Sequence, residues 1–149
     1  MFFYDIERAM KIQELHTYTQ SQFDDLKLLM TELSERVSFS EQKLDNVLAD
    51  SNCHLYVIIK NDHVIGCATF CVFHSPTGTK ASIEDVVVSS SYRGQHLGKQ
   101  LMEHVLEDAQ KYSPIELHLT SNPKRTVANI LYQSLGFQRK ETNCYIMEK

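Results

Sequence analysis

A β-branched strand that runs directly into a glycine-containing loop and then a helix constrains this chain more than any other feature. The apolar run Ile83–Val88 is followed by the polar loop Ser89–Lys99, and an amphipathic pattern begins at the end of that loop. Such a junction gathers free backbone N–H groups at a helix N-terminus, where the helix dipole favours negative charge. Gly94 and Gly98 have no Cβ and let the backbone approach an anion closely. The junction predicts a phosphate or pyrophosphate site, and therefore a phosphorylated cofactor.

The loop has neither the GxxxxGKS/T spacing of a Walker loop nor the GxGxxG spacing of a dinucleotide-binding loop. Its residues Arg93–Gly98 resemble the Q/R-x-x-G-x-G/A acetyl-CoA loop of the GNAT N-acetyltransferases. His96 stands where that family usually has its first glycine, and His tolerates a left-handed backbone better than most residues do. Arg93 and Lys99 can add charge-assisted contacts to phosphate. The alternative for this segment alone is a basic surface turn before a helix.

A second segment, Ala128–Phe137, resembles the A-x-x-L-Y-x-x-x-G-F signature of the same family. Asn129 stands where many members carry asparagine, and Tyr132 and Gly136 occupy the tyrosine and glycine positions. Gly136 also has the place expected of a glycine that ends a helix. The resemblance covers Ile83 to Tyr145. It implies the α/β GNAT fold, a mixed sheet flanked by helices that splays between its fourth and fifth strands.

Hydrophobic periodicity predicts the elements that this fold requires. The predicted strands are 11–18, 55–60, 64–73, 81–88, 115–120 and 137–145. The predicted helices are 21–33, one capped by Ser38 or Ser40, 97–111 and 124–135, with a tight turn at Asn61–Asp62 and a loop at 74–80. No linker or repeat interrupts the pattern, so residues 1–149 are predicted to form a single domain.

Composition sets bounds on the function. The 149 residues include 42% hydrophobic and 23% charged side chains, as in ordinary soluble proteins, and the net charge of −4 argues against a nucleic-acid partner. No window approaches the ~20 apolar residues that a membrane-spanning helix needs. Residues 1–10 carry charges within a short apolar stretch, which is not typical of a signal peptide. We expect a cytoplasmic protein with no nucleic-acid or membrane partner.

The cysteines and histidines do not predict a metal site. Cys53, Cys67, Cys71 and Cys144 show no CxxC spacing, and all four are expected to be buried reduced thiols. Cys67 and Cys71 would share one face of a strand but lie too far apart along it to pair. The seven histidines include no HxxxH pair with a carboxylate partner.

Acetyl transfer from a thioester to an amine needs a neutral amine, a donor for the developing oxyanion and a proton for the leaving thiolate. The resemblance implies that Val86 and Val88 hydrogen-bond the pantetheine arm, that the Val86 N–H is the oxyanion donor, and that Tyr132 protonates the thiolate. Glu84 is the candidate base, directly or through a water. It lies two residues before Val86 and should share its sheet face, with Asp85 pointing the other way. A substrate-ammonium anchor and a structural carboxylate are the alternatives for Glu84.

The resemblance implies direct acetyl transfer from acetyl-CoA to a primary amine of a small molecule in a ternary complex, and a homodimer. The residues expected to bind acetyl-CoA are Val86, Val88, Arg93, Gly94, Gln95, His96, Leu97, Gly98, Lys99, Asn122, Asn129 and Tyr132. Residues Ile83–Lys99 also look like the corresponding run of glucosamine-6-phosphate N-acetyltransferases, for which Lys80, Lys124 and Arg125 are candidate ligands of a substrate phosphate. A peptide or protein N-acetyltransferase and a non-catalytic acetyl-CoA-binding module are further alternatives.

Overall fold

The structure, a computed structural model, describes residues 9–149. The prediction that residues 1–10 are not a signal peptide therefore falls almost entirely outside the described residues. The described chain forms two compact units, one ending at Leu119 and the other comprising Thr120–Lys149. The single domain over residues 1–149 stays a prediction. Among residues 9–149, no helix is long and apolar enough to cross a membrane.

The first unit is built on a five-stranded sheet whose strands lie side by side in sequence order. They are β1 Lys11–Glu14, β2 Cys53–Lys60, β3 His63–Ser75, β4 Gly78–Val88 and β5 Ile115–His118. Neighbouring strands are antiparallel except β4 and β5, which are parallel. Parallel neighbours need a crossover connection, and a helix supplies it here. The predicted class, a mixed sheet flanked by helices, is confirmed.

The helices of the first unit are α1 Gln20–Leu33, α2 Glu41–Ala49 and α3 Leu97–Ala109, and the second unit contains α4 Thr126–Ser134. A capping box starts α1, because the Thr19 hydroxyl accepts from the Gln22 N–H while the Gln22 side chain accepts from the Thr19 N–H. Ser40 rather than Ser38 caps α2, and its hydroxyl accepts from the Lys43 N–H. Both helices therefore begin with satisfied backbone donors.

Helices cover both faces of the sheet. α1 and α2 pack on the face that carries Val57, Cys67 and Val87, with which their buried side chains form one core cluster. α3 packs on the other face, where the His104 ring lies edge-on to the Tyr56 ring with 5.5 Å between centroids. Because α3 follows β4 through a short loop, packing on the sheet holds the N-terminus of α3 at the end of that strand.

The predicted turn at Asn61–Asp62 is confirmed, and the predicted loop at 74–80 is wrong. Asn61 and Asp62 have φ values of 51° and 63°, the left-handed conformation that the tightest hairpin turns require. β3 extends to Ser75 and β4 begins at Gly78, so Pro76 and its neighbour occupy a short turn instead of a loop. Proline and glycine indicate a turn but not how far the flanking strands continue.

The predicted last strand, 137–145, is also wrong. The structure assigns no strand to residues 137–149. A strand needs a neighbour that takes up its hydrogen bonds, and an alternating sequence pattern does not supply that neighbour. The first strand is shorter than predicted for the same reason: β1 ends at Glu14, and the last hydrogen bond beyond it runs from the Leu15 N–H to the Leu55 carbonyl at 2.7 Å.

Candidate functional site

A β-bulge interrupts β4 shortly before the loop that carries the first motif. In the pairing of β3 with β4, Glu84 lies opposite Thr69 and Val87 lies opposite Cys67. Between these pairs β4 has one residue more than β3. Asp85, at the bulge, has a φ of 53° in the left-handed region. An extra residue bends its strand and re-aims nearby side chains, and bulges are common beside active sites.

The bulge overturns the predicted placement of the Glu84 side chain. The β3 partners of Glu84 and Val87 are two residues apart and share a face, so Glu84 shares that face with Val87. The prediction that Glu84 shares a face with Val86 is therefore wrong, because strict alternation along β4 ends at the bulge. On the Glu84 face, the Ser82 hydroxyl donates a hydrogen bond to the Glu84 carboxylate.

Two carboxylates lie next to each other at the bulge. Partial desolvation, and then the neighbouring Glu84 carboxylate, raise the pKa of Asp85. Both causes act in the same direction, since low polarity and a like charge each disfavour the ionised form. Sequence alternation predicted that Asp85 points away from Glu84. At the bulge the Asp85 carboxyl nevertheless senses the charge of Glu84.

Beyond the bulge, the backbone of β4 presents hydrogen-bonding groups to an open edge. The Ser89 N–H donates to the Ile65 carbonyl at 2.8 Å. Alternate residues of an antiparallel pair face opposite ways, so Val88 and Val86 direct their N–H and C=O groups away from β3. In the part of the chain that the structure describes, β5 pairs with β4 only over Thr79–Ser82. This edge agrees with the predicted contact of Val86 and Val88 with an extended cofactor arm, which stays a prediction.

The loop after β4 leaves the start of α3 uncapped. Gly94 has a φ of 81°, and His96, the N-cap residue, has a φ of 59° and a ψ of 22°. His96 therefore adopts the left-handed conformation in place of the family's usual glycine. No described side chain caps α3, in contrast to the Thr19 and Ser40 caps of α1 and α2. The N–H groups of its first turn point outward, ready for a ligand.

The first turn of α3 carries a cation where the helix dipole disfavours one. Lys99 lies in this turn, which contains no acidic residue. Its ammonium is 3.9 Å from the Glu103 carboxylate, and both side chains are about half exposed, so this pair contributes little. A positive charge at a helix N-terminus costs stability unless an anion binds beside it. Backbone and side chain at this point therefore favour the same ligand, an anion.

Two residues that the sequence analysis did not identify hold the loop. Glu32, in α1, accepts hydrogen bonds from the Ser90 N–H at 3.1 Å and the Ser90 hydroxyl at 2.9 Å, and lies 3.8 Å from the Arg93 guanidinium. The Lys60 ammonium lies 5.1 Å from the centroid of the Tyr92 ring and adds a cation beside the loop. Glu32 and Ser90 are 58 residues apart, so no local pattern links them.

In the second unit, the asparagines predicted to bind acetyl-CoA organise the start of α4. The Asn129 amide donates to the backbone carbonyls of Asn122 at 2.9 Å and Arg125 at 2.8 Å. The Asn122 side-chain oxygen accepts from the Lys124 N–H at 2.9 Å. Both asparagines therefore have structural partners, and their contact with a cofactor stays a prediction.

Tyr132 is buried on α4, which ends as predicted at Gly136. Gly136 has a φ of 101°, its N–H donates to the Gln133 carbonyl at 3.1 Å, and the Phe137 N–H donates to the Tyr132 carbonyl at 3.1 Å. This is the Schellman arrangement of a helix C-terminus. Burial raises the pKa of Tyr132 and the Arg125 charge lowers it by less, so the phenol is protonated at neutral pH.

The structure divides the predicted site residues between the two units. Glu84, Val86, Val88 and the loop Arg93–Lys99 lie in the first unit around the end of β4. Within that loop Leu97 is buried and anchors the first turn of α3, whereas Gln95 is exposed. The second unit holds the remaining predicted residues, which are Asn122, Asn129 and Tyr132.

The uncapped helix start with its lysine is the geometry expected from the first motif, and a comparison of the whole chain decides the family. The model of the acetyltransferase (GNAT) family matches residues 12–137. This chain belongs to the GNAT family. The family predicted from the two motifs is confirmed, and the protein is an acetyl-CoA-dependent N-acetyltransferase.

Several GNAT proteins resemble this chain over nearly its whole length. The aminoalkylphosphonate N-acetyltransferase of Salmonella typhimurium is 27% identical over 139 residues, which cover 89% of this chain and 90% of that protein. The solved glucosamine-6-phosphate N-acetyltransferase of Arabidopsis thaliana has a TM-score of 0.74 at 18% identity, covering 95% of this chain and 99% of that one. A predicted acetyltransferase of Clostridium acetobutylicum, solved with acetyl-CoA, has a TM-score of 0.70 at 15% identity, covering 93% and 96%. The two structural likenesses show the shared fold.

The raised pKa of Asp85 predicts a pH-dependent effect of Asp85→Asn on folding stability. The pKa of Asp85 lies above its ordinary value of 3.8 in the folded chain, so its ionised form is disfavoured by folding. Relative to Asp85→Asn, the wild type should lose stability as the pH rises from below 3.8 towards neutrality. Because water screens this partly exposed group, we expect a difference on the order of 0.5 kcal/mol by urea unfolding.

The chain offers a matched control for this measurement. Asp62 has a similar left-handed backbone, with a φ of 63°, and is exposed in the turn between β2 and β3. Asp62→Asn therefore measures what the backbone conformation contributes to an Asp-to-Asn change. A stability difference for Asp85→Asn that is the same at acidic and neutral pH would contradict the electrostatic account.

Proposed function

We propose that this enzyme transfers the acetyl group of acetyl-CoA to the primary amine of a small molecule, within a ternary complex. The observation that carries the proposal is the start of α3, which lacks a side-chain cap, has Lys99 in its first turn and follows the bulged end of β4. Backbone N–H groups and an ammonium at a helix N-terminus suit a pyrophosphate. Apart from Gly94 and its two chain neighbours, no described residue has a heavy atom within 4 Å of the position that a Cβ on Gly94 would take, which leaves room for such a ligand.

The loop Arg93–Lys99 would hold the pyrophosphate, with Glu32 orienting the Arg93 guanidinium from 3.8 Å away. The outward-facing backbone groups of Val86 and Val88 would bind the extended arm of the cofactor as a neighbouring strand does. The Val86 N–H would then donate to the oxyanion that forms when the amine attacks the thioester. Asn122 and Asn129 are further residues proposed to contact acetyl-CoA.

Proton transfer is assigned to two residues. Glu84 would accept the proton of the attacking amine, directly or through a water, with its carboxylate oriented by the Ser82 hydroxyl. Anchoring of the substrate ammonium is the alternative role for Glu84. Tyr132 would donate a proton to the departing thiolate, a role supported by the burial that raises its pKa and keeps the phenol protonated.

The acceptor that we propose carries a phosphorus oxyanion as well as an amine. Two observations support this class: the relative from Salmonella typhimurium is named for aminoalkylphosphonates, and Ile83–Lys99 resembles the run in glucosamine-6-phosphate N-acetyltransferases. Lys80 lies on the same face of β4 as Ser82 and Glu84, because these residues are two apart and precede the bulge. In this proposal Lys80 would pair with the anionic group of an acceptor whose amine meets Glu84.

A panel of matched amines tests the acceptor class. Aminoethylphosphonate, β-alanine and ethanolamine share a two-carbon amine and differ in the head group, and glucosamine 6-phosphate pairs with glucosamine in the same way. We expect the phosphorus-containing member of each set to have the higher kcat/KM, measured by mass spectrometry of the acetylated product. Equal kcat/KM values within each set would show that the enzyme acetylates small amines in general. That result would reject a requirement for a phosphorus oxyanion on the acceptor. Acetylation of peptides alone would reject a small-molecule acceptor.

The predicted homodimer and cytoplasmic location stay predictions.

Tyr132→Phe tests the assignment of the acid. Removing the hydroxyl should lower turnover roughly a hundredfold, the usual effect of losing one acid–base group, while acetyl-CoA affinity changes little because the ring remains. Steady-state kinetics and calorimetric titration with acetyl-CoA measure the two quantities. Tyr145→Phe is the control, since Tyr145 is an exposed tyrosine of the same unit. Wild-type turnover in Tyr132→Phe would mean that solvent protonates the thiolate.

Glu84→Gln separates the two roles proposed for Glu84. It keeps the shape of the side chain and removes its charge. If Glu84 is the base, kcat should fall and the acidic limb of the pH–rate profile should shift or disappear, with acetyl-CoA binding retained. If Glu84 anchors the ammonium, KM should rise with kcat little changed. Glu107→Gln, on the exposed face of α3, is the control. Unaltered kinetics toward the best acceptor of the panel would remove Glu84 from the site.

A further inference from the structure

Two cysteines that are far apart in the sequence meet on neighbouring strands. Cys53 of β2 and Cys71 of β3 are direct partners in the strand register, and their Sγ atoms lie 3.1 Å apart. Both side chains are half-buried, whereas Cys67 is buried and Cys144 is exposed. The prediction of four buried thiols is therefore wrong for three of them, and the pair depends on a register that no sequence spacing reveals.

The backbone at this pair has the geometry that brings side chains closest. The Val72 N–H donates to the Asn52 carbonyl at 2.9 Å, which makes Asn52 and Val72 a hydrogen-bonded pair. The adjacent pair, Cys53 and Cys71, is then a non-hydrogen-bonded pair, with Cα atoms about 4.5 Å apart. Disulfides span Cα separations of about 4.4–6.8 Å, so the two sulfurs can bond after side-chain rotation without moving either strand.

We propose that Cys53 and Cys71 form a reversible oxidative-modification site, which closes to an intramolecular disulfide when a two-electron oxidant such as hydrogen peroxide is present. In the first step one sulfur attacks the peroxide, the O–O bond breaks, and a sulfenic acid and a water form. In the second step the other sulfur attacks the sulfenic acid, the S–O bond breaks, and the leaving hydroxide takes up the thiol proton to become water. The two sulfurs together lose two electrons, and the peroxide gains them.

The contact between the two thiols supplies the proton that the second step needs. Burial, and then the hydrogen bond with Cys53, raise the pKa of the Cys71 thiol to about 12. Cys71 therefore keeps its proton at neutral pH and can donate it to the Cys53 sulfur. In the 3.1 Å contact either sulfur can be the donor, so the scheme holds whichever of the two cysteines is oxidised first. The exposed Cys144 has no assigned partner in this scheme.

Disulfide mapping of the oxidised wild-type protein tests the proposal without any substitution. The protein is reduced, freed of reductant, treated with hydrogen peroxide, alkylated and digested. Trypsin separates Cys53 from Cys71 after Lys60, and chymotrypsin separates Cys67 from Cys71 after Phe70. We expect a linked peptide pair containing Cys53 and Cys71, formed at a rate that does not depend on protein concentration, and lost again after dithiothreitol.

Variants assign the link to these two sulfurs. Cys144→Ser should still form the disulfide, because it removes only the exposed thiol, and Cys71→Ser should not form it. Alkylation of both Cys53 and Cys71 after peroxide treatment of the wild type would overturn the proposal, as would a link through Cys67 or Cys144. A Cys53–Cys71 link that dithiothreitol does not remove from the folded protein would overturn its reversibility.

Discussion

The N–H groups at the start of α3 are the constraint on which the site depends. A side-chain cap at such a position is worth about 1 kcal/mol, and Thr19 and Ser40 supply it to α1 and α2. α3 has His96 at its N-cap without a side-chain hydrogen bond, and it adds the charge of Lys99. The helix is held in place by packing on the sheet, and an anion that bound at its open end would stabilise it where its own sequence does not.

The bulge in β4 is a second feature of the site that lowers local stability. It places Asp85 in a left-handed conformation and brings two carboxylates together, one of them with a raised pKa. Strain and like charge persist only where the surrounding structure enforces them, here through the pairing of Glu84 and Val87 with β3 on either side. The departures from local rules in the first unit thus concentrate at the end of β4, which is the pattern expected of a functional site.

The sequence predicted the features that short motifs encode and missed those that depend on strand register or distant contacts. The loop, the helix start and the Gly136 helix end follow from local residue types. Glu84 was assigned to the wrong face because period-two alternation contains no sign of an extra residue. Glu32 reaches its loop across 58 residues, and the Cys53–Cys71 pair needs the register of β2 against β3. An alternating pattern also predicted a strand at 137–145, where the structure has none. Such a pattern does not reveal whether a neighbouring strand is available to pair with.

Calorimetric titration of acetyl-CoA into Gly98→Val tests the central claim most directly. Gly98 lies in the first turn of α3. In the proposed site the pyrophosphate would approach the backbone here, so the methyl groups of a valine would obstruct it without loss of helix propensity. Glu107→Val puts the same side chain on the exposed face of the same helix as a control. The account predicts affinity at least about tenfold weaker for Gly98→Val, equivalent to about 1.4 kcal/mol, and unchanged affinity for Glu107→Val. Wild-type affinity in a folded Gly98→Val protein would contradict it.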